Sequence, residues 1–281
     1  MPYGLSRLGG KLGVTILHIV VLAVIQGVTE FLPVSSSGHL VLVPIFTDWP
    51  DQGLVMDVAV HVGTLLAVLL YFWRDIIFMA MGLWRFLRGR KDPGAKLAGL
   101  IVLATIPVVI AGYLISKHYP GAFRSLTVIG WTTLGFGILL FFADRFGMTL
   151  RRIEHLRVSD ALFIGLAQVL ALVPGTSRSG VTMTVARLIG MERPDAARFS
   201  MLLSIPAILG AGVLQTIQLI EQGDAQLTNA ALTAAGLAFV TALLSITILM
   251  AWLKRSSFTP FVIYRVLLGG GLLAIAYGWV G

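Results

Sequence analysis

Six uninterrupted apolar stretches of about 20 residues dominate this chain, and a run of that length crosses a bilayer core as a helix. They are roughly Leu54–Trp73, Leu97–Ile115, Leu126–Ala143, Phe199–Ile220, Ala230–Leu253 and Phe261–Val280. Only 12% of the 281 residues are charged and 57% are hydrophobic, where a soluble domain carries roughly 25% charged residues. That composition excludes a soluble globular protein and a disordered chain. It also excludes a nucleic-acid binder, despite a formal net charge of +8. A β-barrel would alternate apolar and polar residues every second position, which these runs do not. With no Cys, disulfides, thiolate nucleophiles and Cys-based metal sites are excluded as well. Met1–Lys11 runs into apolar sequence without a small-residue cleavage site, so no cleaved signal is expected.

Two further apolar regions are broken. Residues 14–46 are interrupted by Glu30, Pro33, the Ser35-Ser36-Ser37 run and Gly38; residues 161–189 by Pro174, Gly175 and the 176–180 stretch. Each reads as two short helices joined by a polar loop, a re-entrant segment that enters and leaves on one side. On that reading the loops 74–96, 144–160, 187–198 and 254–257 share one face and carry fifteen Lys or Arg. The other face carries Arg7, Lys11, Lys117 and Arg124. Such asymmetry marks the richer face as cytoplasmic. Both termini, and the loops 47–53 and 221–229, are then extracytoplasmic. Arg265, inside the last span, is expected to snorkel towards the interface.

A shift of 142 residues places Gln26 on Gln168, Ser35 on Ser177, Ser37 on Ser179 and Gly38 on Gly180. The expectation is therefore an all-α integral membrane protein. It has six transmembrane helices, two re-entrant helix-loop-helix segments and an inverted-topology repeat in a single domain, with halves at about 1–143 and 144–281. Repeats of this kind bring their broken segments together near the midplane.

The two tips hold the chemistry. Gln26 and Glu30 lie four residues apart on one helical face, followed by three hydroxyls and His39. The second tip, Pro174–Thr182, is a Gly/Ser loop opening a helix and carrying Arg178. Hydroxyls, N-terminal N–H groups and a guanidinium make an anion cradle. Hydroxyls in membrane helices often only bond backbone, but an ionisable group at mid-bilayer is a functional candidate by default. Glu30, His39 and Arg178 all sit where their helices break. Asp57 and His61 form a similar i, i+4 pair, read as structural or supporting.

Gln26–Glu30 with Phe31–His39 resembles the (E/Q)xxxE and PVSSxGH signature of the bacterial undecaprenyl-diphosphate phosphatases, the bacitracin-resistance family. Pro174–Thr182 resembles that family's PGxSRSxxT signature, and the likeness covers essentially the whole chain. The type-2 phosphatidic acid phosphatases also use an SGH triplet. Their upstream Lys-x6-Arg-Pro and late His–Asp are missing here.

The resemblance implies hydrolysis of undecaprenyl diphosphate to undecaprenyl phosphate and inorganic phosphate. That reaction recycles the lipid carrier for cell-wall synthesis and confers bacitracin resistance. The enzyme would sit in the bacterial inner membrane with its site reached from the extracytoplasmic face. The resemblance also implies Ser36 as the nucleophile, with attack by an activated water as the alternative. His39 would be its base or would protonate the leaving phosphate. Arg178, with Ser35, Ser37, Ser177, Ser179 and Thr182, would hold the phosphates. Glu30 and Gln26 would hold a divalent cation, Mg²⁺ or Ca²⁺. The prenyl chain would lie in an apolar cleft open to lipid. The competing class is a flippase of the lipid carrier, since inverted repeats are transporter architecture. A homodimer is left open.

Overall fold

In a computed structural model the chain is described over residues 16–47, 49, 53–118, 123, 125–221 and 229–279, with the side chains of 214 and 216–221 excepted. Arg7, Lys11 and Arg124, and most of the loops 47–53 and 221–229, lie outside the described residues. The helices are α1 (Ile16–Thr29), α2 (Ser36–Thr47), α3 (Gly53–Tyr71), α4 (Trp73–Leu87), α5 (Pro93–His118) and α6 (Leu126–Phe146). They continue as α7 (Val158–Val169), α8 (Arg178–Leu188), α9 (Arg193–Glu221), α10 (Asn229–Leu253) and α11 (Thr259–Ala276). Two 3₁₀ turns, Ile153–His155 and Leu170–Leu172, flank α7. Among the described residues no strand forms.

Among the described residues six helices are long and apolar enough to cross a membrane: α3, α5, α6, α9 over Arg193–Val213, α10 and α11. In the apolar window of α5 only 22% of residues are buried inside the protein. Water would not tolerate so much outward-facing apolar surface, whereas lipid does. The protein is an all-α, multi-pass membrane protein.

Helices extend beyond the expected spans where charged residues sit, because Lys117, Arg145 and Arg193 can reach the interface from a helical backbone. The larger departure is α4, which falls in the stretch read as a basic loop. It carries Trp73, Ile77, Met81 and Trp84 exposed along its surface, with Arg88 stacked on Trp84. Such an amphipathic helix suits the membrane interface. At the α4–α5 turn, Asp92 takes a 3.0 Å bond from Arg85, which holds its carboxyl below the usual pKa, and caps α5 through Gly94 N.

α1 packs on α2 and α7 on α8, so each broken segment doubles back. At 1.5 Å per residue α1 and α2 are about 21 and 18 Å long, short of a bilayer core of about 30 Å. The 142-residue offset also relates helix starts: Ile16 to Val158, and Ser36 to Arg178. It relates packing too, since α1 and α3 both lie on α10 while α7 and α9 both lie on α5. Close approach needs small residues. A Cβ on Gly27 of α1 would lie 2.8 Å from Ala238 O of α10, and one on Gly165 of α7 would lie 2.7 Å from Ala104 Cα of α5.

At the end of α8 away from the tips, Arg187 is fully buried rather than a solvated loop charge. It donates to Asp144 Oδ1 (3.1 Å) and to the carbonyls of Gly147 and Met148. Asp144 also accepts from Arg193 Nε (2.7 Å) and Phe258 N (3.1 Å), so one carboxylate ties α6, α8, α9 and α11 together.

Candidate active site

Each break contains a proline, Pro33 or Pro174, which biases its predecessor away from helical backbone. After Pro33 and Pro174 the chain turns through Ser35 (φ 77°) and Ser177 (φ 73°) and restarts as a helix. A non-glycine residue held there costs of order 1–3 kcal/mol and persists only where its surroundings enforce it. The two serines act alike. Ser35 Oγ accepts from Gly38 N (3.3 Å) and Ser177 Oγ from Gly180 N (3.0 Å), and each faces the hydroxyl two residues on, Ser37 or Ser179.

The tips touch. Gly175 N donates to Ser35 Oγ (3.2 Å), and Ser179 Oγ donates to Leu32 O (2.7 Å). Gly175 is required: its φ is 90°, and a Cβ there would meet Ile129 O at 2.7 Å. Arg265 is fully buried and does not snorkel. Its guanidinium donates to Pro33 O in the first tip and Gly175 O and Thr176 O in the second, and to Thr132 O and Thr133 O of α6. With five carbonyls at hand, staying inside is better than reaching for the interface.

Across this junction Glu30 collects three donors. Its Oε2 accepts from Gln26 Nε2 (3.0 Å) and Ser36 Oγ (2.7 Å), and its Oε1 pairs with Arg178 Nη2 (3.2 Å). Arg178 Nη1 also donates to Ser200 O of α9 (3.2 Å). Glu30, Ser35, Ser36, Ser37, Ser177 and Arg178 line one wall of a cavity of about 280 Å³. His61 of α3 lines it too, and α5 and α9 close it with apolar residues including Val108, Val109 and Ile208. A hydroxyl on a carboxylate, facing a guanidinium over a small cavity, can deliver an oxygen nucleophile to a bound phosphate.

Not every expected residue faces this cavity. His39 has Nδ1 on Ser35 O (2.6 Å) and Nε2 on Tyr264 Oη, and its ring stacks on Tyr264, so both nitrogens are engaged away from Ser36. Thr182 is buried and bonds Arg178 O, Ser179 O and Ser200 Oγ (2.7 Å). Ser179 Oγ is spent on Leu32 O. Gln26 Oε1 is buried without a hydrogen-bond partner, as are both amide atoms of its counterpart Gln168. Ser200 and Tyr264 were not singled out, and Arg265 was read only as a snorkelling residue. Only Arg265 carried a signal, as an ionisable group within a span. A larger cavity of about 1220 Å³ lies between α4 and α5 and contains none of the tip residues.

The family model described as "Bacitracin resistance protein BacA" matches residues 19–271. The chain is 57% identical to "Undecaprenyl-diphosphatase 1" of Rhodospirillum rubrum over 270 residues, covering 93% of this chain and 95% of the relative. It is 52% identical to "Undecaprenyl-diphosphatase" of Roseobacter denitrificans, covering 94% and 99%, and 51% identical to that of Alcanivorax borkumensis, covering 90% and 96%. With its two proline-broken tips and matched nearly end to end, the chain belongs to the BacA family.

Proposed function

We propose that this protein hydrolyses undecaprenyl diphosphate to undecaprenyl phosphate and inorganic phosphate, in the bacterial inner membrane. The observation that carries the mechanism is the 2.7 Å bond from Ser36 Oγ to Glu30, closed across the tips by Arg178. Ser36 Oγ attacks the terminal phosphorus while Glu30 takes its proton. The bond to the bridging oxygen breaks, Glu30 passes its proton to that oxygen, and undecaprenyl phosphate leaves. Glu30, again a carboxylate, takes a proton from water as the water attacks the phosphoserine; Ser36 Oγ leaves, regains a proton from Glu30, and inorganic phosphate is released. Arg178 neutralises the equatorial oxygens, the main requirement of phosphoryl transfer. The base role passes from His39 to Glu30, because Glu30 holds the hydroxyl and His39 is turned to Ser35 and Tyr264. Ser35, Ser37 and Ser177 orient the anion; Ser179 and Thr182 act behind it, holding Leu32 and Ser200.

A divalent cation fits the donor set. Glu30 is the only carboxylate in the tips, and the buried, unpartnered Gln26 Oε1 is a second hard oxygen. One or two protein oxygens completed by phosphate and water suit Mg²⁺ better than Ca²⁺. When bound, the ion would add positive charge at the phosphate oxygens.

The basic face, and with it α4, lies in the cytoplasm; the termini and the approach to the site are extracytoplasmic. The charge asymmetry supports this orientation. Every group in the site comes from one chain, so the chemistry needs no second copy. Phosphate release from undecaprenyl diphosphate by the purified protein, abolished in Arg178→Ala, tests the reading. Lipid movement without phosphate release would select a flippase instead.

A further inference from the structure

A second, apolar cavity of about 280 Å³ lies beside the catalytic one, between α3 and α9. The two share His61 and Ile208, so they adjoin. The walls of the second are Val58, Val62 and Leu65 of α3 and Leu209, Gly212 and Val213 of α9. Val62, Leu209 and Val213 are exposed, at 41%, 49% and 58%, so this groove opens sideways from the helix bundle. A Cβ built on Gly212 would meet nothing within 4 Å, so the glycine leaves open space where any side chain would fill the groove. His61 stands at the junction, lining both cavities. Its Nδ1 is tied to Asp57 O (2.7 Å).

We propose that the isoprenoid chain of the substrate leaves the catalytic cavity between α3 and α9. Its first units fill the apolar groove, its inner phosphate lies beside His61, and its terminal phosphate lies between Ser36 and Arg178. This assignment rests on the prenyl-diphosphatase reading above and adds the direction in which the substrate lies. It follows from matching chemistry. A prenyl diphosphate is an anion joined to a hydrocarbon, and the paired cavities are a charged chamber joined to an apolar, lipid-open one. The groove takes the units nearest the phosphates, and the bilayer takes the rest.

The test compares steady-state phosphate release from undecaprenyl diphosphate and from methyl diphosphate, which has no isoprene unit to place in the groove. Where the short compound is not turned over, its inhibition constant serves the same comparison. Gly212→Trp should raise KM for the long substrate at least about tenfold, the loss of roughly 1.4 kcal/mol of apolar contact, with less than about a twofold change for the short one. Val62→Trp should do the same from the α3 wall, which separates a blocked groove from a folding defect at Gly212. His61→Leu should weaken both substrates, since both carry the inner phosphate. Equal loss with both substrates in the two tryptophan variants, or no loss with either, overturns the route. So does a chain-length-selective loss in Gly112→Leu, which would place the chain between α5 and the Leu170–Leu172 turn. A wild type that releases phosphate from neither compound would fail the enzymatic reading itself, a different result from any of these.

Discussion

Glu30→Gln exposes the logic of the site most directly, because one carboxylate serves a base, a hydroxyl and a guanidinium. Gln26 and Ser36 share Oε2 while Arg178 uses Oε1. A glutamine has one accepting oxygen and one NH₂. Whichever way the amide turns, either Arg178 or the Gln26–Ser36 pair faces a donor. Removing one partner of a fully buried ion pair costs about 3–5 kcal/mol. Arg178 keeps Ser200 O, and its side chain stays 15% exposed, so the expected loss of stability is smaller, about 1–3 kcal/mol. Catalysis should fall further, because a positioned base contributes about 10²–10⁴-fold, or roughly 2.7–5.4 kcal/mol. Phosphate release in detergent or vesicles measures the rate, and thermal melting measures the stability. A third readout separates the roles. Glu30 occupies Arg178 in the resting protein, so a non-hydrolysable diphosphate analogue should bind Glu30→Gln at least as tightly as wild type while turnover collapses. A folded variant that keeps more than about a tenth of the wild-type rate, well above what loss of a base allows, would refute Glu30 as base. Weakened analogue binding in that folded variant would refute the competition for Arg178.

Ser36→Ala should lose far more activity than Ser35→Ala or Ser37→Ala in the same assay. Near-normal turnover in folded Ser36→Ala would instead favour attack by water. Arg178→Lys keeps the charge but loses the planar fork, so a fall of at least about tenfold is expected, one charge-assisted hydrogen bond being worth roughly 1.5–3 kcal/mol. Gln26→Glu should be tolerated, since it adds a second carboxylate one turn from Glu30; steady-state phosphate release at varied Mg²⁺ checks this. Because the chain has no Cys, single cysteines report orientation cleanly. Leu87→Cys on α4 should be shielded from an impermeant thiol reagent in intact cells and Trp279→Cys should react, both side chains being 78% exposed.

The spans were legible because length and apolarity suffice to define them, and only their charged ends were set short. α4 was not legible as a helix. Arg74, Asp75, Arg85 and Arg88 resemble a loop until the exposed Trp73, Ile77, Met81 and Trp84 show which medium they meet. The two tips and the residues between which an anion would sit could be read from Pro, Gly, Ser and the isolated charges. Their partners could not, because hydrogen-bond choice depends on helix register. His39 lies three residues from Ser36, yet its ring turns to Tyr264 of α11, 225 residues away. Thr182 is likewise claimed by Ser200 of α9. Arg265 was visible but misassigned, since nothing local reveals that carbonyls from two distant loops converge on it.

Arg265 also bears on how the protein is made. An arginine at the centre of an isolated transmembrane helix costs about 2.5–3.5 kcal/mol to insert, and α11 comes after both tips and α6 in the chain. Its charge is met by Pro33, Thr132, Thr133, Gly175 and Thr176, all synthesised earlier. α11 therefore gains a host for its guanidinium only when both tips and α6 are already in the bilayer beside it. Until then the tips lack the residue that joins Pro33 to Gly175. A nascent chain that has inserted both tips and α6 but not yet α11 is thus a set of helices without an assembled hydrolase, and activity begins only when α11 docks.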